Sequence, residues 1–223
     1  MHRVFSYIVL FLSGVLMLGC STMTYYKVSI SDNSERVGDI FQQRINLEGV
    51  LVHVQPRNEA KYKEMQYVWF VPYDTKKFDK RLTRKWPPFR VEFFVYAEND
   101  GYSFTPKHIK LSVNGKAEVQ PSDISGPLDR SENMPDWTIF LDEKLGRIRC
   151  KANMFKNAIS RGVSSEIKLS EKNWLCYELY YDIAVPASTD DIVITVRGMK
   201  RDGKELSIKT ITYHEGEYGK SSL

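Results

Sequence analysis

Apolar and polar residues alternate in short runs through most of the chain, and the period is that of strands rather than helices. Val50, Val52 and Val54 alternate with Leu51, His53 and Gln55 before Pro56 ends the run. Met65–Val71 places apolar residues on both faces, as a central strand or a covered edge would. In Phe89–Ala97, Val91, Phe93, Val95 and Ala97 share one face, and Arg90, Glu92, Phe94 and Tyr96 share the other. Ile109, Leu111 and Val113 repeat the pattern ahead of Asn114-Gly115, the strongest hairpin signal in the chain. Trp174–Ala184, Ile192–Val196 and Glu205–Tyr213 give three further strands, the last preceded by an Asp202-Gly203 turn. Tyr25–Ser31 reads as a first strand or as a lead away from what precedes it. Residues 36–47 carry partial helical spacing, weakened by Gly38.

Two stretches interrupt the alternation. Residues 72–88 hold the strongest positive cluster of the chain: Lys76, Lys77, Lys80, Arg81, Arg84 and Lys85, followed by Trp86 and two prolines. The prolines block continuation of a helix or a central strand. The cluster offers a contact surface to an acidic protein or to a phosphate-bearing glycolipid. The plainer reading is a solvated loop or short exposed helix, with Tyr73, Phe78 and Trp86 stapling it to the core. Residues 121–172 are rich in breakers and polar residues. They read as a long irregular or partly helical excursion across one end of the fold, or as a partner or ligand lid.

Seven to nine strands with short turns imply an all-β fold, an antiparallel β-sandwich in which two sheets cover each other's apolar faces. The expected organisation is one domain over 35–214 with the excursion 121–172 inside it, an N-terminal linker or first strand over 20–34, and a polar tail over 215–223. The strands of 89–119 and 191–213 resemble the middle and end of an Ig-like domain, a resemblance of pattern without a diagnostic motif. Trp174 and Cys176 do not reproduce the Cys…Trp…Cys order of antibody-type domains.

The first 22 residues set the expected compartment. Met1, His2 and Arg3 form a basic start, Val4–Gly19 carries no charge, and Cys20 follows directly. Charge, length and apolarity are those of an export signal. The segment Leu16-Met17-Leu18-Gly19-Cys20 resembles the processing site of bacterial lipoproteins. That resemblance implies removal of residues 1–19, acylation of Cys20 and a soluble domain on a lipid tether. Ser21, in place of an aspartate, implies an outer-membrane lipoprotein facing the periplasm, with surface display left open. The competing reading is a retained anchor helix, since the uncharged span to Tyr26 is long enough to cross a bilayer; it leaves Gly19-Cys20 unexplained.

With Cys20 acylated, Cys150 and Cys176 remain as an even pair in an oxidising compartment, and a disulfide between them is expected. Two buried free thiols are the alternative. The net charge of +4 falls to +3 once Arg3 is removed, a bias too mild to argue for nucleic acid. The sequence holds no nucleophile elbow, metal-binding helix motif, phosphate loop or dinucleotide fingerprint. His53, His108 and His214 have no local partner with metal-ligand spacing. No catalytic residue, metal or cofactor is therefore expected. The expected role is a membrane-anchored structural or protein-interaction lipoprotein of the bacterial envelope, as part of an assembly or secretion complex. The alternatives are a module binding glycan, peptidoglycan or lipid through its tryptophans, and, behind it, an envelope hydrolase.

Overall fold

A computed structural model describes residues 20–31, 35–37, 40–42, 45–68, 71–82, 86–97, 99–128, 160–169 and 175–222. Among them are eighteen strands and one short 3-10 turn. The strands are β1 (Cys20–Ser31), β2 (Glu35–Val37), β3 (Ile40–Gln42), β4 (Ile45–Leu47), β5 (Val50–Pro56), β6 (Ala60–Val68), β7 (Val71–Leu82), β8 (Phe89–Ala97) and β9 (Tyr102–Phe104). They continue as β10 (Lys110–Val113), β11 (Asp123–Leu128), β12 (Ser160–Arg161), β13 (Ile167–Leu169), β14 (Leu175–Tyr181), β15 (Ile192–Val196), β16 (Met199–Arg201), β17 (Lys204–Glu205) and β18 (Lys209–Ser222). The described residues form a mostly all-β fold, as the two-residue periodicity predicts.

The first sheet runs β10-β15-β18-β1-β6-β7 and the second β12-β11-β14-β8-β5-β4. A third, four-stranded sheet runs β13-β9-β16-β17, and β2 and β3 form a separate ribbon. Every pairing among the described strands is antiparallel. One core joins the three sheets: Ile192, Ile194 and Ile211 from the first, Val52, Phe93 and Leu179 from the second, Tyr102, Phe104 and Met199 from the third. The face predicted for Val91, Phe93, Val95 and Ala97 is buried in it.

Three buried tyrosines tie the sheets by donating to backbone carbonyls. Tyr213 of β18 donates to Val54 of β5 at 2.8 Å, and Tyr181 of β14 to Ile109 at 2.9 Å. Tyr102 of β9 donates to Glu48, in the β4–β5 turn, at 2.8 Å. Burial pushes the Tyr181 and Tyr213 hydroxyls well up from their ordinary value, so they remain donors. Gly49 makes the third contact feasible. A Cβ on it would stand 2.4 Å from the Tyr102 hydroxyl oxygen, and its φ of +97° suits glycine.

The two turns predicted from Asn-Gly and Asp-Gly are present. Asn114 and Gly115 have φ of 52° and 68°, and Asp202 and Gly203 have 50° and 80°, the left-handed pair that such turns need.

Several segments differ from their sequence reading. Within 121–172, expected as an irregular or partly helical excursion, the described residues hold strands β11, β12 and β13. Within 36–47, read with partial helical spacing, they hold β3 and β4. Backbone pairing with β14, β9 and β5, rather than hydrophobic alternation, sets these short strands. Residues 72–82, within the stretch expected as a loop or short helix, belong to strand β7. Charge density conceals a strand whose side chains face solvent. The run Met65–Val71, expected as one strand, is divided between β6 and β7, with Val68 paired to Val71 across the connection. Residues 215–222, expected as a polar tail, complete β18 and pair with β1 from Thr22 to Ser29. Tyr102–Phe104, to which the alternation assigned no strand, is a buried strand of the third sheet.

The first sheet therefore has two parts. Between Lys209 and Tyr213, β18 pairs with β15 and lies on the core. Beyond Tyr213 it pairs only with β1 among the described strands, and β1 carries β6 and β7 on its other side. In this extension Ser21–Lys27 and Lys61–Tyr67 are half-buried without alternation, and β1, β6 and β7 give no residue to the common core among the described residues. Its base is fixed by the buried Asn58, which accepts from the Ser29 amide at 3.2 Å and donates to the Ser29 hydroxyl at 2.8 Å.

Candidate partner-binding edge

β7 pairs with β6 along one side and with no described strand along the other. Residues 71–77 are exposed. A twelve-residue strand with no described neighbour on one side presents a row of backbone donors and acceptors that a further strand can pair with. Proline at position 72 removes one of those donors near the start.

The register decides which charges meet on this edge. Lys76 lies opposite Glu64, Lys77 opposite Lys63, and Arg81 opposite Lys61. Lys61 forms an ion pair with Glu64 and stands 4.5 Å from the centre of the Phe78 ring. Lys63 stands 5.0 Å from the Tyr25 ring. A hydrogen bond from Lys61, aided by the charges of Lys61 and Lys76, holds the Glu64 carboxyl below its usual range. Lys76 and Lys77 thus place positive charge on opposite faces of the edge strand, Lys76 beside Glu64 and Lys77 beside Lys63. Such lysines discourage indiscriminate strand pairing and favour an acidic partner.

The predicted basic cluster is only partly gathered. Lys76 and Lys77 are exposed on β7, and Lys80 and Arg81 follow on the same strand. Arg84 and Lys85 lie outside the described residues. Trp86 is 78% exposed but sits beyond the far end of β7, just before β8. The six steps from Lys76 to Leu82 span about 20 Å of strand, so Trp86 belongs to the base of the extension and Lys76 to its middle.

The opposite side of the extension is held by a second charge cluster. Lys27 of β1 pairs with Glu215 at 3.2 Å and Glu217 at 3.1 Å, and Tyr62 donates to Glu217. Burial opposes the charge on Lys27, but the two carboxylates outweigh it and its pKa is raised. The Tyr62 hydrogen bond, with Lys27, holds Glu217 below its usual range. Tyr26 and Tyr218 stack at 5.1 Å between ring centres.

Of the cysteines, Cys20 opens β1, opposite Val68. Cys176 is buried on β14, opposite Phe94, and is disulfide-bonded. Cys150 lies outside the described residues, as do Trp69, Trp137 and Trp174. His53 packs 5.3 Å from the Phe94 ring, and His214 is exposed. No group of three or more potential metal ligands occurs among the described residues. No helix among them is long and apolar enough to cross a membrane.

A buried charge pair escaped the sequence reading. Glu92 and Glu178 are direct neighbours across β8 and β14. Arg57 binds Glu92 at 2.7 Å and Glu59 at 2.6 Å, while Arg90 binds Glu178 at 2.9 Å. Glu92 is 1% exposed and its Oε2 has no hydrogen-bond partner. Burial, only partly offset by Arg57 and Arg90, raises its pKa. Each carboxylate is engaged by its own guanidinium, which makes the pair a structural one. The alternation of Glu92 and Glu178 with core residues was the available signal; their meeting required the β8–β14 register.

An apolar cavity of ≈ 300 Å³ lies elsewhere, lined by Leu111, Val113, Val119, Ile183, Val185 and Pro186, with Asn114, Lys116 and Asp190 also contributing. No protein-family model, curated protein or solved structure matches the chain.

Proposed function

We propose that the protein is a membrane-anchored structural or protein-interaction lipoprotein of the bacterial envelope, held through acylated Cys20 and presenting β7 to a protein partner. The observation that carries the reading is the open, lysine-bearing β7 edge in the same sheet as the strand that begins at Cys20. A tether confines the molecule to two dimensions, so an edge of modest affinity finds its partner at high local concentration. The partner supplies an extended segment with acidic side chains, which pairs with the β7 backbone and meets Lys76 and Lys77. The body is read as an Ig-like sandwich, and Cys176 as bonded to Cys150, the one thiol left once Cys20 is acylated. The proposed location is the outer membrane, facing the periplasm, and no catalytic role is proposed.

Crosslinking in intact envelopes tests the partner. A photoreactive residue at Lys77 should capture one stoichiometric protein, and K76E/K77E should lower the yield several-fold while leaving membrane attachment intact. Equal capture by the reversed-charge variant contradicts the edge as the contact.

The second reading, a glycan- or lipid-binding module, is favoured by the apolar cavity beside β10. Retention on purified cell wall or glycolipid without a protein partner would support it.

A further inference from the structure

We infer that the β6–β7 hairpin end is a membrane-contacting tip that inserts beside the lipid on Cys20 and orients the tethered protein. The inference rests on the anchor reading and adds a surface that the anchor alone does not require.

The sheet register brings the parts together. Cys20 is opposite Val68, and Val68 is opposite Val71. The first residue of β1 and the turning point of the β6–β7 hairpin therefore lie at one level of one sheet. Ser222 lies opposite Thr22, so the end of β18 is there as well. Either form of attachment, a lipid on Cys20 or an apolar helix before it, sets the bilayer at this end.

Exposed apolar side chains concentrate at the same end. Among the described residues five large hydrophobic side chains are exposed: Val68 at 40%, Val71 at 66%, Tyr73 at 71%, Trp86 and Ile208. Three of the five are within five residues of one another at the hairpin. The register shifts between Gln66 and Tyr67, which leaves Tyr73 as the extra residue of a bulge between Pro72 and Asp74. A bulge re-aims side chains relative to a regular ladder. Tyrosine joins an apolar ring to a polar tip, the chemistry that suits a headgroup boundary. Trp69 and Phe70 connect the two strands in sequence and lie outside the described residues.

The nearest charges on the hairpin are mixed. Asp74 stands at the level of Gln66, and Glu64 and Lys76 two residues further from the tip. Attraction to an anionic surface is therefore not the driving force. Burial of Val68, Val71 and part of Tyr73 is, and it should be insensitive to salt. Two valines and one tyrosine are too few to hold a protein on a bilayer unaided. On a tethered molecule they restrict tilt, and so fix which way the β7 edge points.

The test uses the full acylated protein in phosphatidylcholine vesicles carrying a shallow, nitroxide-labelled lipid. An environment-sensitive fluorophore is placed at V71C, at Y73C in a second variant, and at E205C in the body as reference. The expected result is flotation of all three, with at least twofold stronger quenching at positions 71 and 73 than at 205, unchanged in high salt. Flotation with equal, water-like fluorescence at all three positions overturns the tip and leaves the anchor standing. Failure to float overturns the anchor reading and the tip with it.

Discussion

Cys20 and Val68 are register partners at the outer end of the β1–β6 ladder. The pairing joins the residue that carries the expected lipid to a hairpin whose next register pair is Val68–Val71. It also places the open β7 edge one strand away from β6 and two from β1. The proposed attachment, orientation and partner contact would thereby share a single sheet, while the common core supports its other end.

The Tyr213 hydroxyl crosses from the first sheet to the Val54 carbonyl of the second. Tyr213→Phe keeps the ring and leaves a buried carbonyl without its partner. It should cost about 1–3 kcal/mol, read as a lower midpoint in urea unfolding with an unchanged slope. Full stability in this variant would mean that the cross-sheet bond contributes nothing.

Arg57 and Glu92 should behave as a unit. Removing Glu92 leaves a largely buried guanidinium with Glu59 as its main counter-charge, so E92A should lose about 3–5 kcal/mol. The double variant R57M/E92L removes both charges and should recover most of the loss. Equal destabilisation by single and double variants would contradict a coupled pair. The folded pKa of Glu92 is raised, so its folded state favours the proton. Relative to E92Q, the wild-type protein should therefore gain stability as pH falls from the raised value toward the ordinary glutamate value.

Glu217 has the opposite sign. Its folded pKa is depressed by Tyr62 and Lys27. Its contribution is present above the ordinary carboxylate value and is lost as pH falls through the depressed one. Amide protection factors along Tyr25–Val28 and Gly216–Gly219 should fall as pH drops below the ordinary carboxylate value, before those of the core ladders do. E217Q should abolish that difference, and identical acid profiles for the two proteins would refute the assignment.

What the sequence disclosed follows from how each side chain reports its surroundings. Val91, Phe93 and Val95 are buried on one side, so alternation revealed β8. Asn114-Gly115 and Asp202-Gly203 need left-handed backbone, so composition revealed their turns. Strand β7 and the outer half of β18 bury little, and nothing in Asp74–Lys77 or His214–Lys220 alternates by hydrophobicity. Their strand character comes from backbone pairing with β6 and β1, which residue type does not encode. Lys76 and Lys77 were identifiable as a basic surface, but their place on an open edge was not. The proximity of Cys20 to Val68 and of Glu92 to Glu178 depends on long-range register, beyond any local pattern.

The proposed attachment through Cys20 underlies the rest, and the intact mass of the protein extracted from bacterial membranes tests it directly. The predicted species begins at Cys20, spans residues 20–223 and carries acyl mass that C20A never acquires. A chain that retains Met1, or one that carries no acyl group and washes into the soluble fraction, would contradict the account.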